Sequence, residues 1–225
     1  MIRLKNITKR FKDNCGGNIC PIDNVSFSID RGKFFGLMGK SGAGKTTIGK
    51  IILGLYTPDK GEVWIDGEDI TKFSDNQRHK YRKEIGLAMV FQHPDTSLNP
   101  GMTVRKSIEE IIRCNLKRGV SFKEIEGYFD EVNLSREKLD LYPDKLSGGE
   151  KRRVALIQTL AIKPKILIAD ELFSGVDSMV RNAMANLLKR MQQEEGLTLI
   201  LISHDRDMVE YLCEDNYLEL EGSCR

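Results

Sequence analysis

Two glycine-rich stretches of this chain have the residue types and spacing to hold phosphate. Gly39-Lys40-Ser41-Gly42-Ala43-Gly44-Lys45-Thr46 fits the pattern G-x-x-x-x-G-K-[ST], with Thr47 directly after it. In such a loop glycines let backbone N–H groups turn inward around phosphate oxygens, the lysine reaches the outer phosphates, and the hydroxyl of the last residue is placed for Mg²⁺. Kinases, GTPases and helicases share that loop, so it specifies a nucleotide and little more. Leu146-Ser147-Gly148-Gly149-Glu150 lies far downstream and precedes a helix-forming run over 150–162. Free N–H groups and the positive end of that helix make a second phosphate site. Further candidates sit at the ends of apolar runs: Asp170 and Glu171 after 166–169, His204 after 199–203, and Gln92 after 89–91. A buried strand ending in paired carboxylates suits Mg²⁺ binding and water activation. The plainer readings are a helix cap for Asp170, a first-turn acid for Glu171, a packed residue for His204 and a core aromatic for Phe11.

The elements that must position these residues alternate in kind. Strand patterns are expected over 2–11, 25–29 and 33–38, the third running straight into the first glycine loop and then into a helix over 45–53. Strand, glycine turn and helix in succession is the context in which the phosphate loop is credible. Thr57-Pro58-Asp59-Lys60-Gly61 predicts a turn before a strand over 62–66, Ser74 predicts the cap of a polar helix reaching 82, and 85–91 reads as an apolar strand. Between 104 and 132 the apolar period becomes helical, with Ile108, Ile111, Ile112, Ile125, Phe129 and Val132 on one face. Strands over 166–169, 197–202 and 217–220 then alternate with helices over 179–193 and 206–212. The expected fold is α/β, with a mostly parallel sheet covered on both faces.

The 225 residues are enough for a sizeable core, and 40% hydrophobic with 30% charged residues is the balance of a soluble globule. A net charge of +2 argues against a basic arm or a long nucleic-acid footprint. Apolar runs such as 197–202 fall far short of the roughly 20 residues that span a bilayer. The N-terminus alternates apolar and charged residues, unlike a signal peptide, so a cytosolic protein that meets membranes through partners is expected. Cys15, Cys20, Cys114, Cys213 and Cys224 are scattered and contain no C-x-x-C pair, which favours reduced thiols. Cys15 and Cys20 flank a Gly-Gly pair, but two cysteines without a nearby histidine lack the four ligands of a structural zinc site.

From Leu4 to about Glu221 the chain resembles the ATP-binding subunit of ABC transporters. The two glycine stretches match that family's Walker A and signature elements, Ile166-Leu167-Ile168-Ala169-Asp170-Glu171 its Walker B strand with the catalytic glutamate, and Gln92 its Q-loop. Ser174-Gly175-Val176-Asp177 is similar to the D-loop and His204 to the switch histidine. The resemblance implies a P-loop NTPase (RecA-like) core over 1–93 and 163–225, with an N-terminal antiparallel β subdomain, and an inserted α-helical signature subdomain over 94–162. It implies ATP and Mg²⁺, with the metal held by Thr46, Gln92 and Asp170, the adenine stacked on Phe11, and Glu171, His204 and Lys45 as catalytic residues. It also implies a head-to-tail dimer in which Ser147, Gly148 and Gly149 of one subunit cover the γ-phosphate bound to the other. The segment 91–100 is similar to the corresponding segment in importers of peptides and nickel, which implies ATP hydrolysis powering import of a small solute: nickel or another metal, a metal chelate, or a peptide. The implied partners are two permeases at the cytoplasmic face of the membrane, a second and longer ATPase homologue, and indirectly a solute-binding protein, but no nucleic acid. Two departures from the family are Leu172, where proline is usual, and Glu150-Lys151-Arg152-Arg153, where a glutamine-rich run is usual. A soluble ABC ATPase acting on nucleic acid or ribosomes, a small-molecule kinase and a subunit that binds without catalysis are the alternatives. Absence of a basic tail opposes the first, the unused signature and His204 the second, and intact Lys45, Asp170 and Glu171 the third.

Overall fold

The computed structural model describes residues 1–12, 18–115 and 120–221; Cys15 and Cys224 lie outside them. The first part of the chain forms β1 (Ile2–Lys12), β2 (Asn18–Ile29), β3 (Phe34–Gly39), α1 (Lys45–Ile52), β4 (Lys60–Ile65), β5 (Glu68–Asp69), α2 (Asp75–Ile85) and β6 (Leu87–Val90). There follow α3 (Val104–Cys114), α4 (Phe122–Glu131), α5 (Gly148–Leu160), β7 (Ile166–Asp170), α6 (Ser178–Glu195), β8 (Thr198–Ile202), α7 (Arg206–Cys213) and β9 (Tyr217–Leu220). One sheet is antiparallel in the order β2-β1-β4-β5, and the other is parallel in the order β6-β7-β8-β3-β9.

Side-chain parity sorts the parallel strands onto two cores. Ile166 and Ile168 of β7 and Ile200 and Ile202 of β8 join Ile48, Ile51 and Ile52 of α1 and Ile2, Leu4 and Ile7 of β1. Helix α1 is thus packed between the two sheets. Leu167, Ala169, Leu199 and Leu201 face the other way, onto Val154 and Leu156 of α5 and Met184 and Leu188 of α6. The helical faces of α3 and α4, through Ile108, Ile125 and Phe129, join this second cluster. Each such side chain, taken from exposed to buried, contributes about 1.5–3 kcal/mol.

Of the differences from the sequence expectation, three bear on the site. β2 starts at Asn18 instead of 25, running through Pro21. Proline reads as a strand breaker, but β2 is at the edge of its sheet, where a missing N–H is tolerated. The alternation of β1 breaks after Leu4: Asn6 is at φ 50° and the register shifts, so Ile7, not Asn6, becomes the next core residue. Helix α5 begins at Gly148, two residues early, because Ser147 caps it. Ser74 caps α2 as expected, in a reciprocal pair with Gln77, and the helix runs on to Gly86 at φ 69°. Among the described residues, no helix is long and apolar enough to cross a membrane.

Candidate active site

The candidate residues gather at the carboxyl ends of adjacent parallel strands, where open α/β sheets hold ligands. The glycine loop leaves β3, His204 follows β8, Glu171 follows β7 and Gln92 follows β6. Ser41, Gly42, Gly44, Lys45, Thr46, Thr47, Gln92, Glu171 and His204 line one cleft of about 580 Å³, together with Pro21 and Ser174.

In the loop, Gly44 is the N-cap of α1 at φ 88°, ψ 5° and offers no side-chain cap. A Cβ there would stand 2.7 Å from the Pro21 carbonyl oxygen, so both the backbone conformation and the approach of β2 require glycine. The first N–H groups of α1 have no intrahelical acceptors and face the cleft with the positive end of the helix dipole behind them. Lys45 is buried and donates from Nζ to the carbonyls of Gly39 at 2.7 Å and Lys40 at 3.1 Å, holding the ammonium across the loop. Gly39, Lys40 and Ala43 shape the loop without lining the cleft, and Ala43 is part of the core between the sheets.

Asp170 shares the parity of Ile166 and Ile168, which turns its carboxylate toward α1. It is 1% exposed, and neither oxygen has a full hydrogen bond among the described residues. Burial pushes its carboxyl up from the usual range, opposed in part by the nearby Thr46 hydroxyl and by Lys50 and Lys45. A desolvated, unpaired carboxylate beside a hydroxyl is the donor set of a hard cation, so Asp170 and Thr46 fit Mg²⁺.

The chain bends sharply at Glu171, whose φ is 50° and whose N–H donates to the Ile202 carbonyl at 2.9 Å. This left-handed backbone in a non-glycine residue turns the side chain out of the sheet and into the cleft. The carboxylate meets His204 Nδ1 at 2.8 and 3.0 Å. Glu171 has 11% of its side chain exposed and His204 has 66%, so a sheltered carboxylate is oriented by a histidine that remains open to a ligand. Leu172, the departure noted above, is buried in the core shared with α5 and α6 and does not line the cleft.

Ser147, Gly148 and Gly149 do not line the cleft. Ser147 Oγ accepts the Glu150 N–H at 3.3 Å, and Glu150 accepts the Ser147 N–H at 2.8 Å. That leaves the N–H groups of Gly148 and Gly149, which no carbonyl of the helix can reach. A Cβ on either glycine would meet nothing within 4 Å. Phe11 is also outside the cleft lining; its ring stands edge-on to Tyr56 at 5.6 Å with Lys9 Nζ over it at 5.5 Å. The sequence reading passed over Pro21 as a site residue because it belongs to a different sheet. It named Ser174 only as part of a loop motif.

The ABC transporter family profile matches residues 22–174. The chain is 38% identical over 217 residues to the oligopeptide transport ATP-binding protein OppF of Streptococcus mutans serotype c, covering 95% of this chain and 70% of that protein. It is 37% identical over 215 residues to the methionine import ATP-binding protein MetN 3 of Pectobacterium atrosepticum, covering 95% of this chain and 61% of that one. Among solved structures it resembles the dimeric post-hydrolysis ATP-binding cassette MJ0796 bound to ADP and Pi, with a TM-score of 0.85, 30% identity and coverage of 98% and 94%. The chain belongs to the ABC transporter family, as one of its ATPases.

Proposed function

We propose that this chain hydrolyses ATP in a site completed by a second ATPase subunit, and that the cycle powers import of a peptide through membrane-embedded permeases. One observation carries the composite site: two adjacent glycines at a helix start, open to solvent, serving neither their own fold nor their own cleft. Glycine in a helix costs about 0.5–1 kcal/mol relative to alanine. A partner's γ-phosphate, approaching the free N–H groups of Gly148 and Gly149, gives that cost a reason.

Within the cleft, Lys45 and the N–H groups of α1 would hold the phosphates, and Thr46, Gln92 and Asp170 would hold Mg²⁺. The cation, when bound, supplies charge neutralisation at the transferred phosphoryl group. Glu171 accepts the proton of the attacking water, and His204 keeps that carboxylate aimed while its exposed ring is free to hydrogen-bond the reacting phosphate. Phe11 would stack on the adenine once its edge contact with Tyr56 gives way.

The peptide assignment rests on the segment 91–100 and on the oligopeptide transport named for one relative. The surface that would meet the permeases is a groove of about 510 Å³ beside this segment, lined by Met89, Ser97, Ile111, Cys114, Gln158 and Ile162 among others. Such partners would hold the chain on the cytoplasmic face of the membrane. Detergent extraction of the tagged chain should recover two integral membrane proteins, and ATPase activity of that complex should rise with a peptide-loaded solute-binding protein. Recovery of ribosomes or nucleic acid instead, or stimulation by nickel alone, would contradict the assignment.

A further inference from the structure

Successive residues on an α-helix point about 100° apart, and the three basic residues after Glu150 fan out to three different neighbours. Arg153 donates from Nη1 to the carbonyls of Val132 at 3.3 Å and Asn133 at 2.8 Å, tying α5 to the end of α4. Lys151 Nζ meets Asp95 Oδ1 at 2.6 Å, with 19% of the lysine side chain exposed. Asp95 is in a one-turn 3₁₀ helix, Pro94–Thr96, three residues beyond the cleft residue Gln92. Arg152 donates from Nη1 to the carbonyl of Ser174, itself a cleft residue. The next residue, Gly175, is at φ 67°, and a Cβ there would stand 3.1 Å from Arg152 Nη1. The guanidinium therefore occupies space that a side chain at 175 would contest. Lys151 and Arg152 belong to the run in which the sequence departs from the family's glutamines.

We propose that Lys151 and Arg152 are positioning residues that report the occupancy of the chain's own cleft to its signature turn. The inference rests on the reading that Ser147 to Gly149 serve a nucleotide on the partner subunit. Gln92 and Ser174 both line the cleft, and each is linked within three residues to a basic side chain of α5. Those two side chains are one and two residues beyond Glu150, which holds Ser147 in its capping pair. A ligand that moves the Gln92 or Ser174 segment thus pulls on the first turn of α5, and through it on the N–H groups of Gly148 and Gly149. The two sites of a dimer would then be coupled inside each chain as well as across the interface.

The test needs one chain only. Full-length protein carrying Glu171→Gln, kept monomeric by dilution and checked by sedimentation, is loaded with Mg-ATP, and amide hydrogen exchange is followed over 147–152. Binding should change exchange there by about two- to five-fold, the range expected of exposed ion pairs. Asp95→Lys and Arg152→Ala should each erase most of that change while ATP affinity stays within about two-fold, and the swap Asp95→Lys with Lys151→Asp should restore it. Arg152→Gln serves if Arg152→Ala does not fold, and the Asp95 variants decide by themselves if neither does. An ATP response in the variants equal to the parent's, or none in a parent that binds ATP, overturns the inference and leaves the composite site standing. That site fails on a different result, loss of monomer ATP affinity in Gly149→Asp.

Discussion

The two helix starts that face phosphate in this protein are built on opposite terms. At α1 the glycine loop is crowded: Gly44 has a left-handed backbone and no room for a Cβ against Pro21, and Lys45 is locked on the carbonyls of Gly39 and Lys40. At α5 Ser147 and Glu150 form a capping pair that leaves the N–H groups of Gly148 and Gly149 free, and these glycines look into open space. In the first set, Gly39 and Gly44 are demanded by the chain's own packing and Gly42 by its left-handed backbone. The second set is not, and a nucleotide on the proposed partner subunit would supply the demand. On the proposed reading, the cleft at α1 and the open turn at α5 are the two halves that a head-to-tail pair of ATPases would bring together.

The comparison breaks most visibly at the chemistry of the α1 side. Glu171→Gln should keep ATP binding while single-turnover hydrolysis by the assembled complex falls about 10²–10⁴-fold, the usual worth of a general base. A rate within a few-fold of the parent would move the base to another residue. Next in size is the contrast between glycines. Gly44→Ala forces a side chain into a left-handed backbone and onto β2, and should cost about 2–3 kcal/mol in urea unfolding. Gly149→Ala should leave stability unchanged or raise it by up to about 1 kcal/mol. Equal losses at the two positions would remove the distinction drawn here.

The smallest effect concerns the cap of α5. The Glu150 carboxyl is held below its ordinary range, chiefly by the Ser147 N–H and, against desolvation, with help from Lys138. A carboxylate depressed by folding stabilises the fold above its unfolded pKa and loses that contribution as pH falls through the folded value. Ser147→Ala should cost about 1 kcal/mol at pH 7, and less once pH falls through the folded value of Glu150, which lies below the ordinary carboxylate range. A cost independent of pH would mean that the hydroxyl acts without its acidic partner.

How much of this was legible in sequence depended on locality. The phosphate loop is contiguous, so strand, glycine turn and helix could be read from neighbouring residues, and the parity of β7 already places Asp170 on the face of Ile166 and Ile168. The position of Pro21 in the cleft was not legible, because it depends on β2 arriving from another sheet as an edge strand. The break in β1 at Asn6 was hidden for a related reason, since a bulge is fixed by pairing with β2 and β4. Gly148 and Gly149 were excluded from the expected helix by their low propensity; the capping pair around them outweighs it. The loop contacts of Lys151 and Arg152 join segments far apart in the chain, and no local pattern announces them.

Equilibrium ATP binding to the isolated Gly149→Asp chain tests the central claim most directly. Aspartate there sets a negative charge and a side chain where a γ-phosphate must approach, so a partner's nucleotide would be repelled while the chain's own cleft is untouched. The account predicts monomer affinity within about two-fold of the parent, together with loss of ATP-driven dimerisation and a sharp fall in turnover by the assembled complex. Lys45→Ala, which removes the charge-assisted contact to the outer phosphates, is the reference for a damaged cleft. A loss of monomer affinity in Gly149→Asp as large as in Lys45→Ala would mean that the signature serves its own nucleotide, and would contradict the head-to-tail site.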